Sequence, residues 1–463
     1  MDKYIFPKRA FTDKEISNCN LLKKQPLQIG LAEKNTTLFC ENEYVILDFG
    51  EELCGGIRIL TYTAKNIPVR IRFGESFAEA CSELGGKNNA TNDHSLRDLT
   101  VNLQNYSDMV FGQTGFRYVR LDFAGKVEIK SIVAAIKTVK RNALYVYEGS
   151  DARIRQIYDV AKRTIDLCIS SGYVWDGVKR DRLVWIGDMA PEVLALTALY
   201  GKMQCIERSL DFVKDQTPLP GWMNGYPMYS MWWIITLSIY YEKTDARSYI
   251  KKQIEYLSAL LHQMNACVMD DGTLNYPSYF VDWQTCGTPA AVEGARAINI
   301  IAAKAAIMIL NEFHADTSVA EELLTKLMKK EINAGNAKQV LALKYFASGL
   351  SKDEEERLVR GGAKGLSTFM SYYILKAVAS FDRAKAIDMM KEYYGGMLDK
   401  GATTFWEDFD IAWMDDSGRI DELPKNGKKD IHGDFGSHCY IGFRHSLCHG
   451  WSAGVLGFMK EEL

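Results

Sequence analysis

The feature that most restricts how this 463-residue chain can fold is a change of hydrophobic period near residue 145. Before it, short alternating or β-branched runs recur at 44–49, 57–62, 69–73, 99–103, 118–123 and 129–136, separated by Gly and polar clusters. Several such strands without a helical period predict an antiparallel β-sandwich over residues 1–147. The stretch 76–98 is too long and too polar for a tight turn, and reads as an extended loop or excursion of the kind that often carries function.

After the change, apolar residues return every three or four positions. Helices are expected at about 150–170, 188–214 (divided near Met203), 227–243, 245–264, 286–313, 317–332, 335–347, 351–360, 366–379, 382–394 and 441–459. About twelve helices fit six hairpins closed into an all-α (α/α)6 barrel over residues 148–463, with the loops at one end lining a funnel. An open α-solenoid is the competing arrangement, and the lack of a fixed repeat period counts against it.

The bulk properties exclude several classes of function. A formal charge of −3 with dispersed Lys and Arg gives no footprint for nucleic acid or an anionic membrane. The first residues have charge without a following apolar run, so no signal peptide is expected, and no stretch has the roughly 18 apolar residues of a membrane span. Ten scattered cysteines read as mostly buried, reduced thiols, which fits the cytoplasm. Cys439, Cys448, His438, His445 and His449 fit no common zinc spacing, and no metal or organic cofactor is expected, although acidic loops leave room for a Ca2+.

Two segments hold carboxylates suited to chemistry. Residues 175–188 (WDGVKRDRLVWIGD) place Asp176, Asp181 and Asp188 among Lys179, Arg180 and Arg182 with two tryptophans, in a loop between helices. Cleaving a glycosidic bond needs one carboxyl to protonate the leaving oxygen and another to act as base or nucleophile. Cations keep some acids ionised, and burial against Trp keeps others protonated. A solvated loop of ion pairs is the alternative. Residues 401–410 (GATTFWEDFD) offer Glu407, Asp408 and Asp410 beside Trp406. A His-rich stretch, 437–454, supplies either ligands for sugar hydroxyls or a satisfied core histidine at His449. Nine Trp and 24 Tyr suit sugar binding, since aromatic faces cover C–H faces of sugar rings. Trp222 and Trp283, in Gly- or Pro-bounded loops, are divided between that role and the core.

Residues 176–188 resemble the signature loop of the α-L-rhamnosidases of glycoside hydrolase family 78, D-x-P-x-R-E-R-L-G-W-T-G-D. Asp176, Arg180, Arg182, Leu183, Trp185, Gly187 and Asp188 match without a gap. The segment GATTFWEDFD is similar to that family's G-A-T-T-x-W-E motif, HGWSAG to its final helix entry, and DFGEELCGGIRI, VRIRFGES and NATNDHSLRD to the preceding sandwich. The resemblance spans nearly the whole chain and implies an inverting hydrolase that removes terminal α-L-rhamnosyl groups. Carried over by position, the general acid is Asp181 and the general base Glu407. The sugar is held by Asp176, Arg180, Arg182, Trp185 and Asp188, with Trp222, Trp283 and His449 as further candidate ligands. Inversion places a water between the two carboxyl groups, which then lie about 6.5–9.5 Å apart.

The match departs from the family at Asp181, where Glu is usual. One methylene less shortens the reach by up to about 1.5 Å, and misplacement on that scale costs on the order of 100-fold in rate. Three outcomes stay open: a closer backbone, Asp176 serving instead, or sugar binding with weak hydrolysis. Val178 stands for the family Pro, and Val184 and Ile186 flank Trp185 in place of Gly and Thr, so the pocket wall is expected to be more apolar. A single sandwich and no module after the last helix favour small rhamnose-containing glycosides or oligosaccharides over a polymer. An (α/α)6 enzyme for another sugar is the alternative substrate reading, and the sequence says nothing of oligomeric state.

Overall fold

A computed structural model describes residues 2–25, 27, 30, 35–93, 95–425, 427–438 and 440–463. Eight strands, β1 (Asp2–Ile5), β2 (Arg9–Phe11), β3 (Thr37–Phe39), β4 (Glu43–Thr63), β5 (Ile67–Gly74), β6 (Asp98–Leu103), β7 (Asp108–Phe123) and β8 (Val127–Lys137), form one antiparallel sheet of order β1-β8-β4-β7-β5-β6. β2 pairs with β4, and β3 with β8.

The runs expected at 44–49 and 57–62 belong to one strand, β4. Its register against β7 shifts between Asp48 and Leu53 and again between Gly55 and Ile57, and Gly50 has φ +85°. Bulges and glycine let one strand bend where the sequence pattern reads as a break. Both halves of β4, through Val45, Leu47, Ile57 and Ile59, reach the same buried cluster, with Phe73, Phe116 and Ile132. The expected 76–98 loop opens with a short helix, α1 (Phe77–Cys81), whose start is capped by Ser76 accepting from Glu79 N.

The helical part contains α2 (Ala152–Leu167), α3 (Met189–Tyr200), α4 (Gln204–Asp215), α5 (Pro227–Thr244), α6 (Arg247–Ile250), α7 (Ile254–Ala266), α8 (Pro289–Glu312), α9 (Ser318–Leu327), α10 (Lys338–Ser348), α11 (Lys352–Val359), α12 (Ser371–Ala379), α13 (Arg383–Asp399) and α14 (Val455–Glu462). α3, α5, α8, α10, α12 and α14 touch in that order, and α14 returns to α3, so the six close on themselves. The inner position explains their composition. Over α3 every residue from Met189 to Leu199 is buried, whereas α2, outside the ring, buries one face only, from Ile154 to Ile165 at helical spacing.

A helix expected over 441–459 is α-helical only from Val455. Before it come tight turns at Gly442–Arg444 and Gly450–Gly454, where glycines free the backbone to deliver Ser446 and His449 inward. Of the nine described cysteines, all free thiols, only Cys168, Cys205 and Cys448 are buried, fewer than expected. Cys439 lies outside the described residues. No helix among the described residues is long and apolar enough to cross a membrane.

Candidate active site

The 175–188 loop is held at both ends by its own backbone. Asp176 N donates to Leu183 O, and Leu183 N returns a bond to Asp176 Oδ1 at 2.9 Å. The closed loop is then tied to the sheet. Gly115 N donates to Val178 O, and Arg182 donates to Gln113 O. Asp181 and Arg182 take φ of +50° and +56°, a left-handed conformation that costs non-glycine residues of order 1–3 kcal/mol and that tends to cluster at functional sites. Gly187 is required sterically, because a Cβ there would lie 2.4 Å from the ring of Tyr229.

Glu407 arrives on an extended segment paired with 446–449. Glu407 N donates to Ser446 O, His449 N donates to Phe405 O, and Ser446 N donates back to Glu407 Oε2 at 3.0 Å. The two segments meet in a pocket lined by Asp176, Asp181, Trp185, Asp188, Glu407 and His449 from the expected set, together with Trp283. Its volume is about 70 Å³, room for a few waters. A larger hollow of about 860 Å³ at the sheet–helix junction is lined by Asp159, Lys162, Arg163 and Asp166. Lys162 and Asp166 pair there, and Tyr4 is the one aromatic among the described residues lining it.

Arg180 is buried and bridges the two carboxylates singled out above. One terminal nitrogen donates to Asp181 Oδ1 at 2.9 Å and the other to Glu407 Oε1 at 2.5 Å. The guanidinium spans about 2.3 Å between those nitrogens, so the two oxygens are at most about 8 Å apart. His449 Nε2 stands 3.5 Å from Glu407 Oε1 and 3.8 Å from both Asp176 Oδ2 and Asp188 Oδ2, contacts too long for hydrogen bonds.

Burial dominates the titration of this site. It raises Asp176 and Asp188 well above the usual carboxylate range, with the nearby negative charges adding to the effect. It lowers His449 well below its ordinary value, with the charge of Arg180 second. Burial thus favours the protonated form of both aspartates and the neutral form of the imidazole. Glu407 is raised by burial, opposed by Arg180 and the Ser446 N–H.

Not every expected ligand faces the pocket. Trp222 lines a separate hollow with Phe212 and Asn224 and packs edge-on against Tyr276. Arg182 stacks over Trp175 and serves the sheet contact. The histidines once considered for a metal are spread among other contacts. His438 stacks on Trp283, His445 Nε2 accepts from Asp408 N, and Cys448 packs in the interior. Sequence reasoning missed Tyr226, Tyr229, Phe280, Tyr440 and Trp451 as pocket walls. Trp451 was readable from its place two residues after His449. Tyr226, Tyr229 and Phe280 stood in aromatic clusters whose inward members have no local mark.

Asp408 lines an adjoining hollow with Asp282. Burial, followed by the charge of Glu407, pushes its carboxyl up to about 7. An unfolded Asp titrates near about 3.9, so the folded chain holds this proton more tightly. The stability contributed by this group is complete below about pH 4 and is lost as pH rises toward about 7. Asp408→Asn is expected to raise Tm by a few degrees at pH 8 and hardly at all at pH 4. The same shift at both pH values in thermal melts would contradict this assignment.

No protein-family profile matches the chain, and no curated protein matches it in sequence. Solved structures do. A rhamnosidase from Klebsiella oxytoca with rhamnose bound is 18% identical with TM-score 0.73, covering 92% of this chain and 88% of its own. A GH78 family rhamnosidase of Bacillus sp. GL1 is 17% identical with TM-score 0.71, covering 93% of this chain and 47% of its own. The Streptomyces avermitilis α-L-rhamnosidase complexed with L-rhamnose is 16% identical with TM-score 0.68, covering 90% and 42%. The chain thus spans about half the length of the latter two. Its fold is rhamnosidase-like, that of the GH78 α-L-rhamnosidases.

Proposed function

We propose that this chain is an inverting glycoside hydrolase that removes terminal α-L-rhamnosyl groups from small glycosides or oligosaccharides. The observation that carries the proposal is the shared pocket of Asp181 and Glu407, bridged by Arg180 and walled by Trp185, Trp283 and Trp451. Had the two carboxylates faced different cavities, no two-acid mechanism would operate. The rhamnose bound in two neighbours of the same fold supports the choice of sugar. We read residues 148–463 as an (α/α)6 barrel from its closed ring of six helices, and residues 1–147 as a β-sandwich domain. Free thiols fit a reducing compartment such as the cytoplasm.

In this mechanism Glu407, on which Arg180 and the Ser446 N–H favour the carboxylate against the opposing effect of burial, takes a proton from the attacking water. Asp181, on the pocket wall, protonates the departing oxygen. Asp176, Asp188 and His449 bind ring hydroxyls, the protonated aspartates serving as donors. Trp185 Nε1 is a buried donor with no hydrogen-bond partner among the described residues, and it adds one more group for a polar ligand.

A second reading rests on Arg180 itself. It donates to Asp181 Oδ1, occupying an oxygen that a general acid would offer to the leaving group, so in this reading the proton comes from Asp188 or Asp176, or the chain binds sugar with little turnover. Release of 4-nitrophenol from 4-nitrophenyl α-L-rhamnoside, beside a panel of other nitrophenyl glycosides, tests both. Preferred cleavage of the rhamnoside is expected. Preferred cleavage of another sugar would move the substrate, and an inert panel would leave binding as the function.

A further inference from the structure

Behind the pocket lies a buried ion cluster contributed half by the sheet and half by the helical part. Glu75 follows β5, and Glu79 sits on α1, fixed by Ser76 Oγ accepting from its N–H. Glu79 Oε2 in turn accepts from Glu75 N at 2.8 Å. With His432 they form a fully buried trio whose ligand atoms all lie within 4.8 Å of one another. The middle is occupied. Lys179 Nζ stands 3.1 Å from Glu75 Oε2, 3.3 Å from Glu79 Oε1 and 3.4 Å from His432 Nε2. It also donates to Phe443 O at 2.8 Å and to His445 O.

Four acceptor oxygens thus surround an ammonium that has three protons, while His432 Nε2 beside it donates to His445 O at 2.8 Å. Two carboxylates, an imidazole and two carbonyls are a donor set of the kind small divalent cations collect. The set is also joined to the candidate base. Glu75 accepts from Ser446 Oγ at 3.1 Å and from Leu447 N at 2.5 Å, and Ser446 N donates to Glu407 Oε2. Next in sequence to Lys179, Arg180 donates to Arg444 O and to Glu407 Oε1. Removing the ammonium would leave Glu79 with Arg97, 3.9 Å away, as its charged partner among the described residues.

We propose that Lys179 is a positioning residue, its ammonium acting as the tethered cation of a Glu75–Glu79–His432 site that clamps the 176–188 loop to the 443–447 segment holding Glu407. The kinetic part of this proposal rests on the hydrolase reading. The cation site rests on geometry alone. A free divalent ion is then expected to take the place of the ammonium once the side chain is shortened, with His432 changing tautomer: Nε2, which donates to His445 O, gives up its proton to bind the ion, and Nδ1–H donates to Ser76 Oγ, 2.8 Å away.

The test uses the full chain with Lys179→Ala, prepared metal-free and titrated with Zn2+ and Co2+. One ion per chain is expected, with visible d–d absorption for Co2+, a raised Tm, and loss of both on adding His432→Ala. Wild type is expected to take up none at this site. Without metal, kcat should fall by about 10-fold or more with KM nearly unchanged, and Zn2+ should restore part of it. A merely structural residue would not give rescue of kcat by an ion. Wild-type kcat in metal-free Lys179→Ala, or metal uptake that ignores His432, would overturn the proposal. Should that variant fail to fold, Lys179→Met with Glu79→Gln keeps volume and net charge, and unimpaired kcat there would overturn it equally. If wild type cleaves no rhamnoside, the hydrolase reading fails while the Co2+ spectrum and Tm still decide the cation site.

Discussion

Glu407→Gln is expected to lower kcat on 4-nitrophenyl α-L-rhamnoside by about 100- to 10,000-fold, the range supplied by general-base catalysis, with KM little changed. Both carboxylate oxygens of Glu407 accept from fixed donors, Arg180 on one side and Ser446 N on the other. An amide satisfies one of these and turns an N–H toward the other, so the variant loses basicity and some order together. A thermal melt separates the two effects, since loss of order alone would lower Tm without selectively lowering kcat. The stereochemistry is a further consequence. With Glu407 as base, the first sugar released from an α-rhamnoside is the β-anomer, seen by proton NMR before mutarotation. Azide, a nucleophile that needs no base, should restore turnover in the variant and give the β-glycosyl azide. If the first product is the α-anomer, Glu407 is not the base of an inverting reaction.

The parts of the molecule that were readable from sequence share a physical property: each is determined locally. The 175–188 loop is closed by bonds between its own residues Asp176 and Leu183, so its motif keeps its meaning wherever it is read. Helix α3, apolar on all sides, signals a ring interior by composition alone. What could not be read depends on distant partners. Nothing near Glu75 and Glu79 points to Lys179, about a hundred residues away in sequence, because their pairing requires the sheet to pack on the helices. Tyr440 joins the pocket through Trp283 Nε1, which donates to its hydroxyl. Trp222 shows the converse. Its Gly- and Pro-bounded loop suited a ligand, yet the ring turned to Tyr276 and a different hollow. The strand break expected near 50–56 failed for a related reason, since a bulge leaves the same polar and glycine marks as a turn.

Asp181→Asn should separate the acid assignments through the leaving group. A nitrophenolate departs with little protonation, so loss of the acid costs little there, whereas a sugar or alkyl alkoxide departs poorly without a proton. The variant is therefore expected to lose about 100-fold or more on a rhamnosyl disaccharide and far less on 4-nitrophenyl α-L-rhamnoside. Glu407→Gln, by contrast, should lose similarly on both. Asp188→Asn is the informative comparison, because burial raises its carboxyl well above the usual range, and an amide retains the donor that a hydroxyl-binding role needs. If Asp181 is the acid, Asp188→Asn changes mainly KM, with no dependence on the leaving group. If instead Asp188→Asn shows that dependence and Asp181→Asn does not, the proton comes from the buried Asp188 and Asp181 is engaged by Arg180. Asp181→Glu sharpens the point. Asp181 already lines the pocket with Glu407, so if the shorter side chain is the working acid, the added methylene should reduce turnover of the disaccharide. Higher turnover in Asp181→Glu would mean that the shorter acid limits the wild-type enzyme.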